Sequence, residues 1–316
     1  MLCLDEDQVS PADRRQIARL FPDFQLVISR QLETISQVIA NVEIVGGRFP
    51  REQMLDAPRL KWMQQWSAGA DWILKRPEMR QSEVVVTTAS GIHTIQITEH
   101  IFSFMFAFAR SLPAARLIQL EGTWNRANNP SVFELFEKTL LVVGVGAIGS
   151  RTAEVGKSLG MRVIGVRRNP QRSDPSVEQM FGPDQLDQVL PEADFVVVVT
   201  PLTNETKGII GSKELDAMKK SAFIINVGRG VVIGEGALTL ALQKGQIAGA
   251  GLDTFEVEPL PDSSPLWKMD NVIITCHYAG LSPRYHERAM ALFLDNLGRY
   301  AAGKPLHNVV KANLGY

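Results

Sequence analysis

From residue 140 onward, short apolar runs alternate with stretches of mixed, helix-like character. Runs of this length suit strands buried on both faces, and strands separated by helices are typical of a parallel α/β sheet. The pattern predicts six strands: Leu140–Val143, Arg162–Val166, Phe195–Val199, Phe223–Asn226, Ala250–Leu252 and Val272–Thr275. We therefore expect a doubly wound sheet whose ligand lies outside the carboxyl ends of the strands, where the strand order reverses.

The first part of the chain repeats this pattern on a smaller scale. Apolar runs separated by loops and helix-like segments such as SPADRRQIARLF predict a second α/β domain. The runs are Phe24–Ile28, Val42–Val45, Trp62–Gln64 and Val84–Thr87.

The segment 98–118 is apolar on almost every side. A helix of this kind must be buried against more than one surface. Two interpretations stay open: a core helix, or a helix between domains or at a subunit interface.

Composition narrows the classes of function. The chain has 316 residues, which favours two domains, and its 33 basic and 34 acidic residues favour a small-molecule enzyme over a partner of nucleic acid or membrane. Cys3 and Cys276 form no metal-like cluster, so we expect free thiols, no metal site and a reducing compartment. The start MLCLDEDQVS lacks signal-peptide character, and no apolar stretch reaches the roughly 20 residues that span a bilayer, so a cytoplasmic location is expected.

A glycine-rich loop follows the strand predicted at 140–143. Gly144, Gly146 and Gly149 have the G-x-G-x-x-G spacing, and a helix and a second strand come next. The first glycine allows a tight turn, the second lets the backbone approach phosphates, and the third lets the helix pack closely on the strand. The order of elements predicts dinucleotide binding, with Ala147 and Ile148 also contacting the cofactor.

Two arginines follow the second strand at the position that faces the 2′ carbon of the adenosine ribose. NAD enzymes usually carry an acid there, whereas an arginine attracts the 2′-phosphate of NADP. Arg167 and Arg168 occupy the position, and no Asp or Glu lies between Val163 and Gln171. We therefore predict NADPH preferred over NADH. The alternative is a pair of solvated arginines in a chain that accepts either cofactor.

Ionisable side chains follow the fourth, fifth and sixth predicted strands. They are Arg229 in INVGRGVV, then Asp253, Glu256 and Glu258 in LDTFEVEPLP, and His277 in ITCHYAG. If the three strands are neighbours, these groups converge on one cleft.

Such a cleft suits the reduction of a 2-keto acid. An arginine can bind a carboxylate through two hydrogen bonds, and a histidine with a carboxylate partner can protonate a ketone oxygen. Alternatively, Arg229 is a salt-bridged strand-end residue, Glu258 is a solvated turn carboxylate with Glu256 as its rival, and His277 caps a strand. The other histidines, His93, His100, His286 and His307, lack comparable partners in the sequence.

A series of motifs resembles the D-isomer-specific 2-hydroxyacid dehydrogenase family. The motifs are LKWMQQWSAGADWI, GIHTIQITEHIFSFMFAFAR, LPEADFVVVVTPLTNETKGIIG, AFIINVGRGVV, GAGLDTFEVEPLPDSSPLW and NVIITCHYAG, in this order between residue 60 and residue 280. The resemblance implies that Arg229, Glu258 and His277 form the catalytic triad. It also implies that the backbone at Ala68 and Gly69 holds the substrate carboxylate.

The predicted cofactor site is larger than the glycine loop and the two arginines. The resemblance implies that Asp253 contacts the nicotinamide amide. The remaining predicted cofactor contacts are Thr200, Pro201, Thr206 and Val227.

The resemblance further implies the domain layout. A doubly wound (Rossmann) cofactor domain, residues 99–284, is inserted into a smaller flavodoxin-like substrate domain formed by residues 1–98 and 285–316. Closure about the two crossings would exclude water. Family members are typically homodimers, and Trp124 is a candidate for a pocket residue supplied by the partner. Glu137 stands where the family usually has glycine, and Cys276 where it usually has proline before the histidine.

The predicted function is the NADPH-dependent reduction of a 2-keto acid to the D-2-hydroxy acid. The expected substrate is glyoxylate, hydroxypyruvate or a larger 2-keto acid. The sequence does not distinguish among these, because the loops that form the pocket for the substrate side chain carry no recognisable motif. The alternative is a dinucleotide-sensing binding protein. The resemblance allows it, because corepressors of this family have the same fold and triad and use the dinucleotide to control assembly.

Overall fold

The computed structural model describes residues 1–4, 9–47, 57–76, 78–79, 82–124 and 132–311. The chain divides into two compact units: unit 1 is Met1–His93 with Ser282–Tyr316, and unit 2 is Thr94–Leu281. The sequence-based prediction puts the domain boundaries at 98/99 and 284/285, and it stays a prediction.

Unit 1 is an α/β unit around a five-stranded parallel sheet of order β2-β1-β3-β4-β5. This is the flavodoxin-like order, as expected. Its strands are β1 (Leu2–Leu4), β2 (Leu26–Ile28), β3 (Ile44–Gly47), β4 (Trp62–Gln65) and β5 (Val85–Thr87). Its described helices of more than one turn are α1 (Pro11–Leu20), α2 (Leu32–Val38) and, near the end of the chain, α9 (Tyr285–Ala301).

The strand β1 is absent from the sequence-based assignment, although all three of its residues are buried. It pairs with both β2 and β3, so it lies inside the sheet. Leu2 and Leu4 pack in the cluster that contains Trp62 and Phe293, whereas Cys3 packs in the cluster on the opposite face. Its apolar run is short and is followed at once by the acidic sequence DED, so the pattern of apolar residues did not identify it as a strand.

Unit 2 contains a seven-stranded parallel sheet of order β12-β11-β10-β9-β6-β7-β8. Its strands are β6 (Thr139–Val143), β7 (Arg162–Val166), β8 (Gln179–Phe181), β9 (Phe195–Val198), β10 (Phe223–Asn226), β11 (Gly249–Leu252) and β12 (Val272–Ile274). Its described helices are α3 (Thr94–Ala109), α4 (Leu112–Glu121), α5 (Ala147–Ser158), α6 (Leu186–Val189), α7 (Ser212–Ala217) and α8 (Glu235–Gln243). The chain runs outward from β6 to β8 and then from β9 to β12, so the order reverses between β6 and β9.

The predicted number of six strands in this sheet is wrong, because β8 adds a seventh. This strand lies at the sheet edge, pairs only with β7 and has no fully buried residue. An edge strand of this kind lacks the apolar run that identified the other strands.

The apolar segment 98–118 is two helices rather than one. α3 ends at Ala109 and α4 begins at Leu112, with a bend of 63° between them. Ser111 adopts a left-handed φ of 50°, and Pro113 in the first turn of α4 lacks the N–H that a continuous helix would need. The burial expected for the whole segment holds for α3, whereas α4 has no buried residue.

Within the described ranges, no single helix is long and apolar enough to cross a membrane, although the bent pair α3 and α4 would pass on length and composition. Among the described residues, neither the buried Cys3 nor the exposed Cys276 forms a disulfide. Glu137 has a φ of 60°, which explains why a glycine would suit the position before β6.

Candidate active site

The glycine loop turns directly from β6 into α5. Gly144 has a φ of 110°, and its N–H donates to the carbonyl of Val166 at 2.9 Å. A Cβ at Gly144 would lie 2.8 Å from the backbone nitrogen of Thr200, so both the turn and the close approach to the neighbouring chain require glycine.

The other two glycines have different reasons. A Cβ at Gly149 would overlap the carbonyl oxygen of Gly144, so packing of α5 on the loop requires glycine there. A Cβ at Gly146 would meet no described protein atom within 4 Å. Packing within the described chain therefore does not explain Gly146, whereas close approach of a phosphate to the backbone would.

The start of α5 is suited to an anion. Gly146 is its N-cap residue and supplies no side-chain hydrogen bond to the first turn. The first amides of such a helix point outward and carry the positive end of its dipole.

Arg167 and Arg168 follow β7 at the same edge of the sheet. The Arg167 guanidinium donates to the carbonyl of Arg172 at 3.2 Å, and its burial, together with the charge of Arg172, lowers its pKa. Arg168 Nη2 lies 3.9 Å from Glu205 Oε2, with both side chains mostly exposed. The edge is basic as predicted, but Glu205 brings a carboxylate that the local sequence pattern did not reveal.

The loop after β9 contributes the next predicted cofactor residues. Thr200 is buried, and its hydroxyl has no hydrogen-bond partner among the described residues. Thr206 closes the loop on itself, since its hydroxyl donates to the carbonyl of Pro201 at 2.6 Å and accepts from the Thr203 N–H at 2.8 Å. Val227, after β10, is 7% exposed.

These residues fit a bound dinucleotide. The space at Gly146, the uncapped first turn of α5 and the unpartnered Thr200 hydroxyl together offer a backbone cradle and an unused polar group. The Thr206 hydroxyl, by contrast, is committed to its own loop.

The strands β10, β11 and β12 are neighbours, which meets the condition for the predicted catalytic residues to converge. Arg229 follows β10, Asp253 and Glu258 follow β11, and His277 follows β12. Because the strands are parallel, these segments leave the sheet at one edge.

Packing of two loops sets the position of Arg229. A Cβ at Gly230 would overlap the backbone of Phe255, so the segment after Arg229 lies directly against the segment that leads to Glu258. The Asn226 amide donates to the carbonyl of Arg229 at 3.0 Å, and Arg229 Nη1 donates to the carbonyl of Gly228 at 2.9 Å.

His277 and Glu258 form a hydrogen-bonded pair. His277 Nδ1 lies 2.7 Å from Glu258 Oε2, and the other carboxylate oxygen accepts the Phe255 N–H at 3.0 Å. A carboxylate only accepts, so Nδ1 carries a proton, and Nε2 takes no part in this pair. The structure therefore brings Glu258 to the histidine, whereas the Glu256 backbone is held by Glu235 at 2.9 Å.

Asp253 has a structural role that sequence reasoning missed. Its side chain is 2% exposed, and its carboxylate accepts from the Thr275 hydroxyl at 2.5 Å and from the amides of Tyr278 and Ala279, each at 3.1 Å. The His277 N–H donates to the Asp253 carbonyl at 2.8 Å. Asp253 thus fixes the loop that carries His277, while its contact with the nicotinamide amide stays a prediction.

The expectation that the remaining histidines lack such partners is wrong for two of them. His100 Nε2 lies 2.9 Å from the Thr275 hydroxyl and 3.8 Å from Asp253 Oδ1, and His307 Nε2 lies 3.0 Å from Asp295. His93 stacks on Tyr285 with ring centroids 5.4 Å apart. Residues far apart in sequence make these contacts, so local context could not show them.

In unit 1, the predicted carboxylate-binding backbone lies in the turn after β4. Ala68 and Gly69 are partly buried. The buried Gln65 amide donates to the carbonyl of Gly69 at 2.6 Å and to that of Ser67 at 3.2 Å, and accepts from Trp72 Nε1 at 2.9 Å. Gln65 holds the shape of this turn, and a glutamine in a buried strand was the signal that sequence reasoning passed over.

Comparison with known proteins identifies the family. Residues 102–279 match the model described as "D-isomer specific 2-hydroxyacid dehydrogenase, NAD binding domain". The chain belongs to the D-isomer specific 2-hydroxyacid dehydrogenase family. This confirms the resemblance and makes unit 2 the unit that contains the NAD-binding domain of an oxidoreductase family.

Individual relatives agree along most of the chain. The glyoxylate reductase of Korarchaeum cryptofilum is 33% identical over 285 residues, which cover 88% of this chain and 84% of that protein. The glyoxylate reductase of Aeropyrum pernix is 34% identical over 92% of this chain and 86% of its own. A D-isomer specific 2-hydroxyacid dehydrogenase from Xanthobacter autotrophicus, solved with NADPH and MES, is 30% identical with a TM-score of 0.84, and covers 100% of this chain and 99% of its own.

Proposed function

We propose that this protein reduces a 2-keto acid to the D-2-hydroxy acid, with NADPH as the reductant. The observation that carries the proposal is the 2.7 Å contact between His277 Nδ1 and Glu258 Oε2. His277 follows β12 and Arg229 follows β10, and one strand, β11, lies between these two in the sheet. A histidine paired with a carboxylate can protonate a ketone oxygen, and an arginine guanidinium can bind the carboxylate of the same 2-keto acid. The family and its glyoxylate reductase members support this reaction.

Each residue of the triad has one task. Arg229 binds the substrate carboxylate and orients the ketone. Protonated His277 donates its Nε2 proton to the ketone oxygen as hydride reaches the carbonyl carbon, and Glu258 stabilises the imidazolium through Nδ1. The bound nicotinamide supplies the hydride, so the ketone gains one hydride and one proton.

The backbone amides of Ala68 and Gly69 are proposed as a second support of the substrate carboxylate. Their turn is held by Gln65. The substrate is glyoxylate, hydroxypyruvate or a larger 2-keto acid of the same class.

The dinucleotide is proposed to lie on the glycine loop with its 2′-phosphate at Arg167 and Arg168. The exposed Arg168 offers a charge-assisted contact, and the Xanthobacter relative was solved with NADPH. One such contact contributes roughly 1.5–3 kcal/mol, or about one to two powers of ten in affinity. Arg167→Asp should move the ratio of kcat/KM for NADPH over NADH toward NADH, whereas an unchanged ratio would place the selectivity elsewhere.

One assay tests the reaction itself. Purified protein is mixed with NADPH or NADH and a panel of 2-keto acids from glyoxylate to branched and aromatic members, and absorbance at the nicotinamide band is followed. We expect turnover with at least one keto acid and a higher kcat/KM with NADPH. Binding of NADPH without turnover of any keto acid would favour a corepressor-like binding protein.

The exposed face of α4 is proposed to pack against a second copy of the chain. Leu112, Leu117 and Leu120 are 52%, 56% and 67% exposed on a helix without a buried residue. Apolar side chains in a row of this kind mark an interaction surface. The wild-type protein should sediment as a dimer and Leu117→Glu/Leu120→Glu as a monomer; a monomeric wild type would overturn the proposal.

A further inference from the structure

We propose that His100 on α3 is a positioning residue for His277, and that it acts through Thr275 and Asp253. The inference rests on the proposed function, because it assigns His277 the proton that the reaction consumes. It adds a residue from outside the three strand-end loops to the catalytic apparatus.

The hydrogen-bond directions along the chain of contacts are fixed by chemistry. Thr275 Oγ1 lies 2.5 Å from Asp253 Oδ1. Because a carboxylate can only accept, the hydroxyl donates its single hydrogen to Asp253. His100 Nε2 lies 2.9 Å from the same hydroxyl oxygen and must therefore donate to it. His100 thus carries its proton on Nε2, and the chain runs from imidazole to hydroxyl to carboxylate.

The far end of this chain holds a conformation that is unfavourable by itself. His277 has a φ of 52°, in the left-handed region that a residue with a side chain occupies only when its surroundings impose it. The Asp253 carboxylate binds the amides of Tyr278 and Ala279, and its carbonyl accepts the His277 N–H. Orientation of this carboxylate therefore determines where the His277 ring lies.

α3 reaches the same loop a second time. Gln96, one turn before His100 on the same helix face, donates to the carbonyl of Gly280 at 3.2 Å. Two polar side chains of a mostly apolar helix thus contact the segments on either side of His277. A core helix with no other task would place apolar residues at both positions.

The surroundings of His100 keep it neutral near pH 7. Phe104 and Tyr278 pack edge-on against its ring with centroids 4.8 and 5.5 Å away, and Asp253 is the charged group that faces it. Burial lowers the pKa of His100, and the carboxylate opposes this only in part. A neutral imidazole donates from Nε2 without a charge that would compete for Asp253.

Two pairs of variants test the chain of contacts. His100→Leu and Thr275→Val each remove a donor, whereas His100→Gln and Thr275→Ser keep one at nearly the same place. We expect the first two to lower kcat by roughly 10- to 100-fold, the range that follows from misplacement of a catalytic group. KM for the keto acid and Kd for NADPH should stay within about twofold, and the conservative variants should recover most of kcat. Ser103→Ala, an exposed change on the same helix, is the matched control.

The double variant separates positioning through this chain from general damage. If both residues act in series, His100→Leu/Thr275→Val should lose no more kcat than either single change. Additive losses, a normal kcat in His100→Leu, or a loss in His100→Gln as large as in His100→Leu would each overturn the inference.

A second readout does not need activity. Hydrogen exchange of a peptide covering residues 276–281 should be faster in His100→Leu and Thr275→Val than in the wild type or in Ser103→Ala, because the amides of Tyr278 and Ala279 lose their rigid acceptor. Unchanged exchange would refute the coupling. A wild type that turns over no keto acid would refute the proposed function, while the exchange data would still decide whether His100 holds the loop.

Discussion

The loops after β6 and β12 both contain a residue with positive φ, Gly144 at 110° and His277 at 52°. The glycine loop, residues 144–149, has its shape because side chains are missing: Cβ atoms at Gly144 and Gly149 would collide with nearby backbone. The histidine loop, residues 275–280, has its shape because it is held by side chains from α3 and by Asp253, the residue after β11. The glycine loop therefore depends on the absence of side chains at its own positions, whereas the histidine loop depends on side chains that lie more than twenty positions away in the sequence.

The difference reflects the chemical group that each loop is proposed to present to its ligand. A phosphate is bound by backbone amides, and close approach of the backbone needs glycine. The proposed proton donor needs a side chain, so glycine cannot relieve the strain of the histidine loop, which is held instead by hydrogen bonds from neighbouring elements. The following predictions test this contrast, in order of expected effect.

Removal of the proposed proton donor, His277, should have the largest effect. General acid catalysis contributes roughly 10²–10⁴-fold, so His277→Ala should lose that factor in kcat while NADPH binding, followed by fluorescence titration, survives. Cys276→Ala changes the exposed neighbour in the same loop and should keep kcat near the wild-type value. A His277→Ala variant with wild-type turnover would remove His277 from the mechanism.

Two alanine substitutions separate packing from ligand contact in the glycine loop. Gly149→Ala forces a Cβ onto the Gly144 carbonyl and should lower the free energy of unfolding by about 1–3 kcal/mol. Gly146→Ala meets no described protein atom, so the melting temperature should hold. Kd for NADPH should nevertheless rise roughly tenfold, the loss of one hydrogen bond to a charged group. Unchanged NADPH affinity in Gly146→Ala would show that phosphate does not approach there.

The carboxylate partner of His277 should have a smaller effect. Glu258→Gln keeps a hydrogen-bond acceptor but removes the charge that stabilises the imidazolium. Because the side chains of the pair are 49% and 36% exposed, solvent screening limits the loss in kcat to about tenfold or less. Glu256→Gln is the matched control, and equal losses in both variants would contradict the assignment of Glu258.

The smallest effect concerns stability against pH. Burial lowers the pKa of His100 below its ordinary value of 6.5, so the unfolded chain binds a proton in this range more readily than the folded chain. Stability contributed by the neutral ring is present above pH 6.5 and declines as the pH falls below it. His100→Gln cannot titrate, so its melting temperature should decline less than that of the wild type between pH 7.5 and pH 5.5. Parallel declines would show that His100 does not titrate differently in the two states.

Much of the fold was predictable where one segment carries its own signal. The buried strands of unit 2 are uninterrupted apolar runs, and the order of strand, glycine loop and helix predicted a dinucleotide-binding domain, which the family match confirms. β8 was missed because an edge strand with no fully buried residue lacks a clear apolar run, and β1 was missed because its short run is followed at once by acidic residues. The break between α3 and α4 was missed although Pro113 marked it, because the apolar character continues through both helices.

The sequence by itself determined the family, the two parallel-sheet α/β units, the cofactor loop and the residue types that can bind a keto acid and protonate it. These depend on local chemistry: which residues tolerate positive φ, which runs can be buried and which side chains titrate. Only the tertiary structure decided that Gln65 braces the turn of Ala68 and Gly69, and that His100, Thr275 and Asp253 form one chain of hydrogen bonds. Contacts of this kind join groups brought together by strand order and helix packing, and no spacing within one segment records them.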